Sequence, residues 1–263
     1  MRNLSLIKKI LFVSIFICAT AFSSFAKTLS NGKKAEGTQA PTTPPRSKHV
    51  IVIDAGHQRY QNIEMEPNGP DSSVMKAKVS SGTKGVSTGI SEYELNLQVA
   101  LYLKEELLNR SYEVVMIRET NDINISNVER AIIANKAAAD AFIRIHADSS
   151  ENSSASGVMT ICQTPQNPYN SEWYLESRRL SECVLDYVVA ETGATRRMIW
   201  ETDTMTGINW TTVPTTILEM GFMSNPEEDK KMATEEYRKQ IAVGIANAID
   251  AYLSILKEIK VVK

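Results

Sequence analysis

The chain has 263 residues, with 29 lysines and arginines against 31 aspartates and glutamates. That balance supplies no basic excess and no basic patch of the kind nucleic-acid capture calls for, so a nucleic-acid partner is excluded. The length suits one domain with a sizeable core once a leader is set aside.

In chain order, the first 26 residues read as an export signal. Arg2, Lys8 and Lys9 supply a positive start, and the apolar stretch Ile10 to Phe22 is short for a membrane span. Ser24-Phe25-Ala26 then offers small residues at the two positions a signal peptidase reads. An uncleaved anchor is the alternative, but polar sequence follows at once with no stop-transfer pattern. Cys18 follows Ile17 rather than a small residue, which argues against a lipoprotein site. Cleavage predicts a secreted, extracytoplasmic protein with no stable membrane span. Removing those three basic residues leaves 26 basic against 31 acidic residues, a formal charge of −5. Lys27 to Ser47, rich in Thr, Gly, Pro, Lys and Ser and without apolar period, reads as a flexible leader. The remainder, 48–257, is expected to form one domain.

Strand and helix patterns alternate through that domain. His49-Val50-Ile51-Val52-Ile53 is the continuous β-branched run of a strand buried on both faces. Gln58 to Ile90 breaks the pattern and predicts a wall or lid of a site, or a disordered segment. Ser91 and Glu94 form a capping box opening a helix with Leu95, Val99, Leu103 and Leu107 on one stripe. Tyr112 to Ile117 predicts a strand, and Ser126 with Glu129 a second capping box. Ala141 to Ile145 and Gly157 to Cys162 predict further strands. A helix over about 172–192 ends at Gly193, suited to a left-handed cap. Pro214 to Leu218 is the last expected strand, Asn225-Pro226 a helix start, and Tyr237, Ile241, Ile245, Ile249 and Tyr252 line a final helix. This alternation predicts an α/β fold: a mostly parallel twisted sheet of about six strands flanked by helices on both faces. Cys162 and Cys183 lie on apolar positions and read as buried thiols; neither has the spacing of a zinc knuckle.

Three ionisable residues follow apolar runs directly. The first strand runs into Asp54-Ala55-Gly56-His57, the Ala141 strand into His146, and the Pro214 strand into Glu219. In a parallel sheet the carboxyl ends of the strands share one edge, where ligands bind. His49 begins a strand and belongs at the opposite edge, leaving His57 and His146 as the paired imidazoles. Two imidazoles and a carboxylate around an open position are a common catalytic zinc set. Glu92 and Glu94 are the nearby carboxylates. Glu94 has a task in the capping box, whereas Glu92 is free to point outward, although a first-turn acid interacting with the helix dipole reads equally well. Glu219, after an apolar run and before Met220-Gly221-Phe222, should be shielded from water. Shielding raises a carboxyl pKa and suits a proton carrier; pairing with Arg144 or Arg118 is the bland alternative.

Ile51 to His57, Glu92 to Leu97, Ile145 to Asp148 and Leu218 to Asn225 together resemble the zinc N-acetylmuramoyl-L-alanine amidases of the Amidase_3 type. Arg118-Glu119-Thr120-Asn121-Asp122 and Glu129-Arg130-Ala131 through Ala134-Asn135 resemble further stretches of that family. The likeness runs from about His49 to Leu253. It implies one zinc ion per chain held by His57, Glu92 and His146, Glu219 as catalytic acid/base, and peptidoglycan as substrate, cut between muramic acid and L-alanine. It also favours Glu92 over Glu94. Gln58-Arg59 departs from the glycine-rich pair usual after this histidine. Asp54 and Asp148 are expected to steady the imidazoles, and Trp200, Asn209 and Trp210 to line a groove. The rivals are a zinc peptidase acting on the stem peptide and a wall-binding protein without turnover.

Overall fold

A computed structural model describes residues 48–262; the expected signal and leader lie outside the described residues. Eight strands form: β1 (Val50–Ala55), β2 (Asn62–Pro67), β3 (Met75–Val79), β4 (Glu113–Met116), β5 (Ala141–Asp148), β6 (Val158–Cys162), β7 (Arg196–Glu201) and β8 (Thr215–Phe222). The α-helices are α1 (Glu92–Asn109), α2 (Asn127–Lys136), α3 (Tyr174–Thr192), α4 (Thr206–Asn209), α5 (Pro226–Met232) and α6 (Glu235–Val262). Six strands make one sheet in the order β4-β1-β5-β8-β6-β7. β4, β1, β5 and β8 are mutually parallel, while β6 joins β8 antiparallel and β7 follows β6. This is the α/β architecture the sequence predicts.

Alternation along β5 assigns its side chains to two layers. Ile143 and Ile145 join the larger core with Leu103 of α1, Val184 of α3 and Ile245 of α6. Phe142, on the other face, joins Val50, Val52 and Ala134 of α2. Farther across that second face Met159, Ile161 and Ile217 pack on Ile208 of α4. Arg144 and His146 follow Phe142 at intervals of two, and therefore share the α2/α4 face.

Both capping boxes form: Glu94 accepts the Ser91 N–H at 3.3 Å, and Glu129 accepts that of Ser126 at 2.7 Å. The α3 helix ends at Gly193 with φ 64°, the left-handed cap expected.

The segment after β1 is ordered rather than irregular. It holds the antiparallel hairpin β2–β3, with Ile63, Met65 and Met75 exposed. Apart from buried Val79 the hairpin's large apolar residues face solvent, which explains why no buried stripe marks them. β7 is the other unassigned strand, an edge strand whose residues alternate between exposed and half-buried. Cys162 and Cys183 are buried free thiols. Among the described residues no helix is long and apolar enough to cross a membrane.

Candidate metal centre

The parallel register sets His146 of β5 directly beside Glu219 of β8. Both strands run past these residues, so the two side chains stand on the sheet face near its carboxyl edge instead of just beyond it. His57 lies two residues after β1, in a left-handed turn with φ 61°. Gly56 makes that turn possible at close quarters: a Cβ built there would stand 2.2 Å from Cε1 of His146. Glu92 opens α1 and is 3 % exposed; it points inward to the sheet, not outward.

These elements bring His57, Glu92 and His146 together. Oε1 of Glu92 lies 3.0 Å from Nε2 of His57 and 3.2 Å from Nδ1 of His146, and the two nitrogens are 3.1 Å apart. Nδ1 of His57 stands 3.0 Å from both the carbonyl oxygen and the hydroxyl of Ser80; donation to the carbonyl, which can only accept, is the tautomer that directs the Nε2 lone pair inward. Glu92 is equally fixed. Its Oε1 accepts from the Ala147 N–H at 3.2 Å and from Asn96 Nδ2 at 3.3 Å, and its Oε2 from the Thr83 N–H at 2.9 Å. Burial opposes its charge, but the interactions with the adjacent His146 and His57 imidazoles outweigh burial and hold the carboxyl well below its usual range. Burial pushes the His146 imidazole down to about 4, so at neutral pH it too offers a lone pair.

Three electron-pair donors thus face one point, with all ligand atoms within 4.8 Å of one another. Lone pairs crowded this closely repel unless a cation sits between them. Two imidazoles and one carboxylate are the donor set suited to zinc, with a position left for water or substrate, so the residues fit the ion the sequence implies.

Glu219 is partly buried, and its Oε2 is closed to solvent with no hydrogen-bond partner. Burial, and after it the charges of Glu92 and Asp148, raises its pKa well above the ordinary glutamate value. Neither arginine suggested as its partner is hydrogen-bonded to it. Arg118 binds the carbonyl oxygens of Ala55, Gly56 and Tyr93; Arg144 donates to Asp54 at 3.0 Å and to Asn127 at 2.8 Å.

Other expectations need correction. Asp54 does not steady an imidazole; it is fully buried and ion-paired to Arg130 at 2.5 Å and Arg144 at 3.0 Å. Asp148 pairs with Arg197 at 3.2 Å. The steadying groups are Ser80, Thr83, Asn96 and Ala147, mostly main-chain atoms with no signature in residue type. The cleft beside the triad, about 240 Å³, is lined by His57, His146, Glu219, Arg144, Ile161 and Met205 among others. Trp200, Asn209 and Trp210 are not among its lining residues. Asn209 is buried and donates to the carbonyls of Asn68 and Asp203, Trp210 donates to the Pro67 carbonyl, and Trp200 sits on edge strand β7. His49 pairs with Asp140 at 3.3 Å at the far edge, as expected.

Fold and donor set together define an α/β protein with a candidate catalytic metal centre. Residues 51–251 match the N-acetylmuramoyl-L-alanine amidase family. The chain is 28% identical over 213 residues to the uncharacterized protein YqiI of Bacillus subtilis, covering 81% of this chain and 89% of that one. It is also 28% identical over 167 residues to the amidase LytC of the same organism, covering 64% of this chain and 32% of LytC. The probable cell wall amidase LytH of Staphylococcus aureus is 27% identical over 80% of this chain, which spans 60% of LytH. Among solved structures, the amidase Ami1 of Mycobacterium abscessus has the same fold, with TM-score 0.71, 24% identity and coverage of 78% and 98%. The catalytic domain of the amidase CwlV from Bacillus (Paenibacillus) polymyxa gives TM-score 0.63 and 29% identity, with the same coverage. This chain belongs to the N-acetylmuramoyl-L-alanine amidase family. It is a peptidoglycan amidase.

Proposed function

We propose that the chain hydrolyses the amide joining the lactyl group of muramic acid to the first L-alanine of the stem peptide. One zinc ion would be held by His57, Glu92 and His146, with Glu219 carrying the proton. The observation that supports this most is the pairing of His146 and Glu219 in adjacent strands, which sets three lone-pair donors beside a carboxyl with an unpartnered oxygen.

When bound, zinc supplies a Lewis acid for the scissile carbonyl and a water acidified toward neutrality. The protein's part is positional and protonic. His57 and Glu92 are pinned by main-chain atoms and side chains before any ligand arrives. Glu219 takes a proton at its free oxygen from the attacking water and returns it to the departing alanine nitrogen. The raised pKa of Glu219 makes its carboxylate a stronger proton acceptor than an ordinary glutamate. The two roles need opposite protonation states, and one carboxyl serves both in sequence. An exported setting rests on the N-terminal reading, and a wall-associated one agrees with the name of LytH, a probable cell wall amidase.

The test is digestion of purified sacculi by the zinc-loaded protein, followed by mass analysis. Stem peptides freed with alanine amino termini, and glycan strands left intact, are expected. Cuts within the stem peptide would indicate the peptidase alternative, and wall binding without released product the non-catalytic one.

A further inference from the structure

Below the metal site the sheet face carries a second row of side chains. Arg144, Ile217 and Ile161 lie one register step in from His146 and Glu219, and Met205 to Gly207 roof them. Arg144 is two residues from His146 on the same face, about 7 Å along the strand.

Its guanidinium is only partly used. Nε donates to Asp54 and Nη2 to Asn127, while Nη1 has no acceptor among the described residues. Yet the side chain is 4 % exposed and lines the cleft. Asp54, the one carboxylate ion-paired with it, is shared with Arg130. One acid is ion-paired with two guanidiniums, and of the two only Arg144 lines the cleft, where Glu219 feels its charge. Gly207 packs directly on the guanidinium, where only a glycine fits: a Cβ there would stand 2.0 Å from Nη1 and 2.4 Å from Cζ.

We infer that Arg144 is a specificity residue: its free edge binds a substrate carboxylate on the peptide side of the scissile bond. Two N–H groups on a planar cation match a carboxylate, and the muramoyl side offers only neutral hydroxyls and acetamide. An extended peptide advances about 3.3–3.6 Å per residue, so the spacing of about 7 Å between His146 and Arg144 along the strand matches two residues of a stem peptide lying parallel to it. Ile217 and Ile161 would pack its aliphatic part. The inference rests on the amidase reading above.

The experiment compares two soluble substrates with the zinc-loaded protein, muramoyl-alanyl-glutamate with a free α-carboxylate and its α-carboxamide counterpart. Wild type should favour the carboxylate about tenfold or more through KM, the scale of a charge-assisted hydrogen bond. R144Q should bring the ratio of the two KM values, carboxamide over carboxylate, to about one. R144K, which keeps a cation beside Asp54 but lacks the planar fork, should lose most of the preference too, and a urea midpoint for each variant separates loss of the contact from misfolding. Equal KM values for both substrates with wild type overturn the inference and leave the amidase reading standing, as does an undiminished preference in both variants. Failure of the wild type to cleave either substrate, or the sacculi, overturns both.

Discussion

Replacing Glu219 with glutamine separates proton transfer from metal binding. The substitution keeps size and shape, removes the titratable oxygen, and leaves His57, Glu92 and His146 with every hydrogen bond described above. A positioned acid/base contributes about 10²–10⁴ in rate, or about 3–5 kcal/mol at 1.36 kcal/mol per decade. Because one carboxyl must both accept and donate, the upper half of that range is expected for kcat. Zinc content should remain near one per chain. In wild type, kcat/KM should fall as pH drops through the raised pKa of Glu219, since only the ionised form accepts a proton; the glutamine variant should lack that limb. Stability supplies an independent readout. A folded pKa raised by burial means that native stability is greatest below the unfolded glutamate pKa, about 4.3, and declines as pH rises through the folded value. Glutamine has no such charge to bury, so the metal-free variant should melt higher than metal-free wild type at pH 8 and near it at pH 4. Steady-state kinetics, metal analysis and thermal melts at those two pH values test the scheme. A variant retaining more than about a tenth of wild-type kcat, or one that has shed its zinc, would refute the role given to Glu219.

Alanine at His57 or His146 should abolish stoichiometric zinc binding after dialysis, measured by elemental analysis, with activity lost in parallel. Gly56→Ala should displace the His146 ring and weaken zinc affinity about 10–100-fold, the scale seen when ligand orientation is disturbed; competition with a chromophoric chelator would show it. Asp54→Asn strips the carboxylate from two buried guanidiniums and should cost about 3–5 kcal/mol, read as a lowered urea midpoint; a loss below about 1 kcal/mol would contradict the ion-pair geometry. Cys162 and Cys183 should resist alkylation in the native protein and react once it is unfolded, and a reductant should leave the melting temperature unchanged.

Residues that end apolar runs were the readable part of this site. His57, His146 and Glu219 each follow a buried strand, and strand ends converge in a parallel sheet, so one-dimensional order carried three-dimensional information. Glu92 was not separable from Glu94 by residue physics, because both occupy the first turn of a helix; only the resemblance favoured one. What holds the ligands was not legible. The Ser80 carbonyl and the Thr83 and Ala147 N–H groups belong to every residue type alike. Asp54 misled for a related reason: a buried acid beside a histidine reads as its partner, yet Arg130 and Arg144 arrive from distant stretches and claim it. The aromatic residues Trp200 and Trp210 suggested a sugar groove by composition alone, and packing placed them elsewhere. The hairpin and β7 escaped because their alternation is not between buried and exposed, and the reversed direction of β6 has no local signal at all.

The stretch from β1 to α1 has a consequence for how such enzymes diverge. Ser80 sets the tautomer of His57, Thr83 anchors Glu92, and Asn68 ties the hairpin base to α4 through Asn209 and Thr206. A segment stitched to two ligands cannot swing aside to admit a glycan strand without loosening both. Natural variation and loop transplantation are therefore confined to its solvent-facing residues, such as Ile63, Met65 and Val74. New wall chemistries can be sampled on that outer surface while the anchors underneath are inherited unchanged.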